Sequence, residues 1–385
     1  MDIIRISKSI IFRVHKCNLD FRKPQKTHLL VLGLILIIVF SFLTGCSSPV
    51  ISDQNLAQDT FLVTDSIGRQ VAVPAKVERI ACLYAFTGHV LTMLGKSANI
   101  VAVVDGLKRD VLLTEMAPSI KEASVPVSSG AINIEELLRA RPDLIFIGGD
   151  TAKDQGELDK LQKSKIPYLV VDYKNIKEQE YAIQMIGLAV GAEDKAKKYN
   201  EYYQSCIDRV EAKVKDIPLS QRIRVYHSVN EATRTDIKDT LPADWLQVAG
   251  AFNVSVNEKL KLIDGNKYFA NLEQILLWNP QVILVNEDGV ADYIRKNPQW
   301  SNIDAVKNGK VYQMPNGISR WGHPGSLETP LAILWTAKTL YPDRFPDLDM
   351  AKEAQNFYKE FFNYPLTDEV AAQVLSGKGM RIPRK

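Results

Sequence analysis

The segment NIEELLRARPDLIFI occupies residues 133–147, and 138 residues later NLEQILLWNPQVILV occupies 271–285. Five of the fifteen positions are identical, and most others exchange like for like. Each copy reads as a short helix followed by a strand. In the first, Asn133 is a good N-cap, and carboxylates stand in the opening turn, where the helix dipole favours them. A chain that states one helix–strand unit twice is expected to fold as two similar lobes. That echo constrains the fold more than the length of 385 residues, which fits two domains.

The rest of the pattern agrees. DSIGRQVAVP, within residues 64–74, reads as a hairpin around a glycine turn. ERIACLY, NIVAVV, DLIFIGG and PYLVVD are apolar strand-like runs separated by helical stretches. The alternation restarts with RIRVYHSV, QVILVN and KVYQMP. Continuous apolar strands between helices predict α/β lobes with mostly parallel sheets covered on both faces. Between them, residues 177–217 hold apolar positions at helical spacing (Ile183, Ile186, Val190; Tyr199, Tyr203, Cys206, Val210), which fits one long helix or two in series.

The N-terminus is set apart. Seven basic residues precede Leu29, and fifteen almost wholly apolar residues follow to Leu43. This is the pattern of an export signal, shorter than the roughly 20 apolar residues of a spanning helix. LTGC, ending at Cys46, resembles the bacterial lipobox, which implies a lipidated Cys46 that tethers the chain to a membrane. Residues 47–60 are polar and read as a flexible tether. Residues 1–45 carry seven basic and two acidic groups, so the remainder holds −2 of a formal net charge of +3. Nothing there suggests a nucleic-acid partner. Of four cysteines, Cys82 and Cys206 remain, in no metal-like spacing, and read as buried free thiols.

With the lobes, DSIGRQVAVP, ERIACLY, the repeat, and ISRWGHPGSLETPLAILWTAKTLYP in view, residues 60–345 resemble the substrate-binding lipoproteins of iron–siderophore, haem and cobalamin ABC importers. The resemblance implies a class III periplasmic binding protein fold: two Rossmann-like lobes, 61–176 and 218–385, joined by one long rigid helix at 177–217. It implies a monomer with no catalytic cofactor. An iron complex, haem or a corrinoid would sit between the lobes for delivery to a permease with its ATPase. The place would be the outer face of the cytoplasmic membrane, or the periplasm of a Gram-negative cell. It also implies that Glu135 and Glu273, the third residue of each repeat copy, dock the lobes on the permease.

Ligands of open α/β sheets bind beyond the carboxyl ends of the strands. That rule selects Tyr84, Phe86, His89 and Arg109 in the first lobe, with Gly130 before the repeat helix. In the second it selects His227, Arg234 and the loop NGISRWGHPG, which brings Arg320, Trp321 and His323; Trp245, on a nearby helix, joins them. The arginines suit anionic groups. His89, His227 and His323 are the only histidines after residue 46, and the alternative is that they bind a bare transition-metal ion. A secreted metalloenzyme is the minor alternative. No G-x-S-x-G, H-E-x-x-H, P-loop or G-x-G-x-x-G motif supports an enzyme.

Overall fold

A computed structural model describes residues 59–264 and 267–383. The export signal, Cys46 and nearly all of the tether lie outside the described residues. The first elements are the expected hairpin: β1 (Thr60–Thr64) pairs antiparallel with β2 (Gln70–Pro74), with Gly68 at φ 82° in the turn. The Asp65 carboxylate closes that turn, accepting the Ile67 and Arg69 N–H groups and pairing with the Arg69 guanidinium.

The first lobe then follows the alternation. In chain order it contains β3 (Ile80–Cys82), α1 (Ala85–Met93), β4 (Ile100–Val103), the small hairpin β5 (Val127–Ser128) and β6 (Ala131–Ile132), α2 (Ile134–Arg139), β7 (Leu144–Gly148), α3 (Gln155–Ser164) and β8 (Tyr168–Val171). Its sheet has the order β4-β3-β7-β8, all parallel.

Two helices come next, α4 (Ile176–Ala189) and α5 (Glu193–Val214). The stretch 177–217 is therefore divided, with α5 as its long helix. The division has a local cause. Gly191 takes φ 62°, and a Cβ on Gly187 would lie 2.6 Å from that of Ala196. Helices this close need glycine at the contact. The buried stripe of α5 runs Ala196, Tyr199, Tyr203, Cys206, Val210, Val214, a helical period.

The second lobe contains β9 (Arg224–Ser228), β10 (Arg234–Thr235), α6 (Leu241–Val248), β11 (Phe252–Asn253), β12 (Lys261–Asp264), β13 (Lys267–Phe269), α7 (Leu272–Trp278), β14 (Val282–Val285) and β15 (Val311–Gln313). Three further helices follow, α8 (Thr329–Leu340), α9 (Met350–Phe362) and α10 (Asp368–Ser376). Its main sheet has the order β11-β9-β14-β15, again all parallel. In each lobe the first strand is flanked by the second and third, and the fourth is outermost. The repeat helix, α2 or α7, leads into the third strand in both.

Alternation along the third strands shows how the lobes join. Leu144 and Phe146 of β7, and Val282 and Leu284 of β14, feed one shared core. Their neighbours Ile145 and Ile147, and Ile283 and Val285, feed two separate outer cores. Successive strand residues face opposite sides of a sheet, so each sheet contributes one face to the common body. That body is completed by α4, α5, α8 and α9. Cys82 and Cys206 are buried free thiols within it.

Candidate functional site

A cleft of about 480 Å³ opens between the lobes. The strand-end rule locates it: Tyr84 follows β3, Gly149 and Asp150 follow β7, and Tyr173 follows β8. From the second lobe come Arg234, Asp236 and Lys238, near the β9 and β10 ends. A pocket of this size lies within the usual range for small-molecule sites.

Tyr84 is half-buried, and its hydroxyl donates to that of Tyr173 at 3.2 Å. Burial first, and then nearby Asp172 and Asp150, push its phenol up to about 12, so the proton stays on oxygen at neutral pH. Phe86 packs behind Tyr173, ring centres 4.9 Å apart and planes tilted by 59°.

Arg234 is half-buried, and burial pulls its guanidinium below the ordinary value of 12.5. Among the described residues no hydrogen bond occupies that guanidinium; Glu231 and Asp236 act on it only through space. Arg320 pairs with Glu287. Burial, with the positive fields of Arg381, Arg109 and Arg234, brings Arg320 down to about 9, against the pull of Asp110. Arg381 pairs with Asp110, and Asp110 lies 3.3 Å from His89 Nε2. Arg320 and Arg381 are thus each paired with a carboxylate, Glu287 and Asp110, while Glu231 and Asp236 face Arg234.

His323 stands among them. The Gly325 N–H donates to its Nδ1 at 3.0 Å, so the neutral ring carries its proton on Nε2. Burial, then Arg320, Arg234 and Arg381, hold it well below the usual 6.5. A lowered histidine value gives stability that is complete above pH 6.5. It is lost as pH falls, because the unfolded chain takes up a proton that the folded chain refuses. Urea titrations between pH 7.5 and 5.5 should therefore show the native protein losing up to about 1.4 kcal/mol per pH unit more than His323→Gln. Equal slopes would mean that the ring protonates freely in place.

The structure corrects several expectations. Phe86, His227, Trp245 and Trp321 have no exposed surface and belong to the core, not the cleft wall. The Trp321 indole N–H donates to Glu328 at 2.9 Å, so the loop of residues 316–325 folds inward around a buried carboxylate. His227 Nδ1 is 2.7 Å from Asp236 Oδ2, and its ring packs edge-on to Trp245. Gly130 turns the β5–β6 hairpin at φ 87°, and like Arg109, Arg320 and His323 it is not among the residues that line the cleft. His89 is buried behind Asp110. Among the described residues, no group of three or more His, Cys, Asp or Glu side chains is placed to hold a metal. Each of the three histidines has its own hydrogen-bond partner: Asp110 for His89, Asp236 for His227 and the Gly325 N–H for His323. Residue reading missed Asp110, Arg381, Glu287 and Glu328. Only the RIPR run after Gly379 hinted at any of them.

The repeat copies are alike in detail. Asn133 caps α2 by accepting the Glu136 N–H, and Asn271 caps α7 in a reciprocal box with Gln274. Glu135 and Glu273 follow each cap by two residues, and both are exposed. Among the described residues no helix is long and apolar enough to cross a membrane.

Two parallel-sheet lobes on one core, with a charged cleft at the strand ends, define a two-lobed solute receptor. The chain belongs to the periplasmic binding protein family, whose model matches residues 80–317. It is 26% identical over 361 residues to the molybdate-binding protein MolA of Haemophilus influenzae, covering 86% of this chain and 99% of that protein. The molybdate-bound structure of MolA superposes with a TM-score of 0.70 at 23% identity, over 80% of this chain and 99% of that one. Two Bacillus subtilis relatives are also similar. The ABC transporter substrate-binding lipoprotein YvrC is 25% identical over 326 residues, covering 81% of this chain and 97% of its own. The iron(3+)-hydroxamate-binding protein YxeB is 24% identical over 304 residues, covering 75% and 89%. The chain is a substrate-binding protein of an ABC importer, not an enzyme, and it works with a permease and an ATPase.

Proposed function

We propose that the cargo is a compact anion of the oxyanion class, of which molybdate, named for MolA, is the type. The observation that carries this reading is Arg234 in the cleft wall, half-buried and with no hydrogen bond to its guanidinium among the described residues. Arg234 supplies a planar pair of donors suited to two oxygens of one anion. The half-buried site strengthens each contact relative to water. Calorimetric titration of the protein with molybdate, sulfate, ferric citrate and a ferric trihydroxamate tests it. Binding confined to neutral or cationic ligands would overturn it.

An anionic ferric chelate is the second reading. It is favoured by the cleft volume of about 480 Å³, which admits a larger guest, and by the relative named for iron hydroxamate. Haem or a corrinoid gains less support, since His89 and His227 are enclosed.

Glu135 and Glu273 are proposed as the permease contacts, one on each lobe. Exposed carboxylates steer and register a partner more than they supply affinity. Glu135→Lys with Glu273→Lys should reduce uptake by at least about tenfold and leave ligand affinity unchanged. A loss of ligand affinity in the purified double variant would refute the assignment. Cys46 is proposed as a lipid anchor at the extracytoplasmic membrane face, a reading supported by the lipoprotein YvrC. Mass spectrometry of membrane-extracted protein tests it.

A further inference from the structure

We propose that Asp172 is a ligand-binding residue of the first lobe that selects, among compact oxyanions, those that bear an O–H group. The inference rests on the anion reading above and narrows it. Asp172 is the residue after β8, where ligands of open α/β sheets bind, and its half-buried side chain lines the cleft. Among the described residues no hydrogen bond or ion pair holds its carboxylate, which acts on the Tyr84 phenol only through space. The other half-buried charge in the cleft wall is Arg234 of the second lobe, also without a hydrogen bond to its guanidinium. The remaining charged groups of the lining are exposed or already partnered: Asp150 with Lys153, and the buried Asp236 with His227.

The backbone beside Asp172 makes room for its carboxylate. A Cβ on Gly149, which follows β7, would lie 2.5 and 2.6 Å from the two carboxylate oxygens. The carboxylate therefore rests over the Gly149 backbone, and a side chain at 149 would push it away. The two free charges belong to different lobes and form no ion pair with each other, so a guest fits between them. An ionised carboxylate only accepts hydrogen bonds. A bare oxyanion offers it acceptors alone and meets repulsion. An oxyanion that keeps a proton donates its O–H to Asp172, while its other oxygens take the planar fork of Arg234. The first lobe then supplies rejection as well as attraction, and specificity comes from both. Hydrogen phosphate and hydrogen arsenate carry such a proton near neutral pH; sulfate and molybdate carry none.

The test uses the full chain, with calorimetric titration of phosphate, sulfate and molybdate at pH 8. Phosphate and sulfate are then both tetrahedral dianions that differ by one O–H. The native protein is expected to bind phosphate at least about tenfold tighter than either of the others. Asp172→Asn keeps the shape without the charge; it should weaken phosphate, strengthen sulfate, and bring the two within about threefold. Gly149→Ala should narrow the ratio as well, because it displaces the carboxylate without removing it. Both affinities are read on the same sample, so a partly unfolded variant still reports their ratio. Sulfate or molybdate bound by the native protein as tightly as phosphate, or a ratio unchanged in Asp172→Asn, overturns selection by Asp172. If Arg234→Ala then loses affinity for the same anions, the anion site stands without it. A native protein that binds none of the three overturns the oxyanion reading and the role of Asp172 together.

Discussion

Arg234→Ala is expected to weaken anion binding by about 30- to 100-fold, with the melting temperature almost unchanged. A charged donor to an anion contributes about 2–3 kcal/mol where water is partly excluded, and about 1.4 kcal/mol is tenfold in affinity. Stability should be spared because no hydrogen bond within the described residues depends on this guanidinium. Its removal also relieves Arg320 and His323 of a like charge. Arg234→Lys should recover part of the loss, since an ammonium keeps the charge but not the two-pronged geometry. Calorimetry and a thermal melt on the same samples check both halves. Affinity within threefold of wild type would remove Arg234 from the site.

Trp321→Ala should do the opposite: about 3–5 kcal/mol of stability lost, and cleft chemistry affected only through the loop. The cost has two sources. The first is the cavity left by a fully buried indole. The second is Glu328, which has no exposed surface and accepts from Trp321 Nε1, from the Ser319 N–H and hydroxyl, and from Tyr358. Burial already pushes its carboxyl up, and each lost donor leaves it less satisfied. The same loop is tied to the helices below it, where Gln179 donates to the Ser326 carbonyl at 3.0 Å and Tyr199 to that of Leu327. A melting temperature lower by roughly 10 °C is the expected result. An unchanged melt would mean that the indole is not packed in solution.

Those two side chains mark what could be read from the residues and what could not. Strands and repeat helices were legible because their periods are local: LIFIG and VILV are apolar throughout, and Asn133 and Asn271 announce helix starts. The cleft's place followed from strand direction, and Tyr84, Arg234 and Pro324 do line it. Trp321 was misjudged because a Gly- and Pro-rich loop looks like surface, and no local signal says that Glu328 waits beneath it. Asp110 and Arg381 were missed for a related reason. They are 271 residues apart, and their meeting depends on how the last segment crosses the fold. The three-histidine metal site failed on distance of another kind. His89 lies inside α1, His227 inside β9 and His323 in a loop, and each ring meets a different hydrogen-bond partner.

The continuous core also governs how the molecule comes apart. Leu144 of one sheet and Val282 of the other are packed in the same apolar body with Tyr199 and Val210 of α5. Each lobe keeps an outer core of its own, but the other face of each sheet is buried only in this shared body, so the melting of one lobe strips that face of the other. A break in α5 would expose both halves at once, and the cleft would vanish with them.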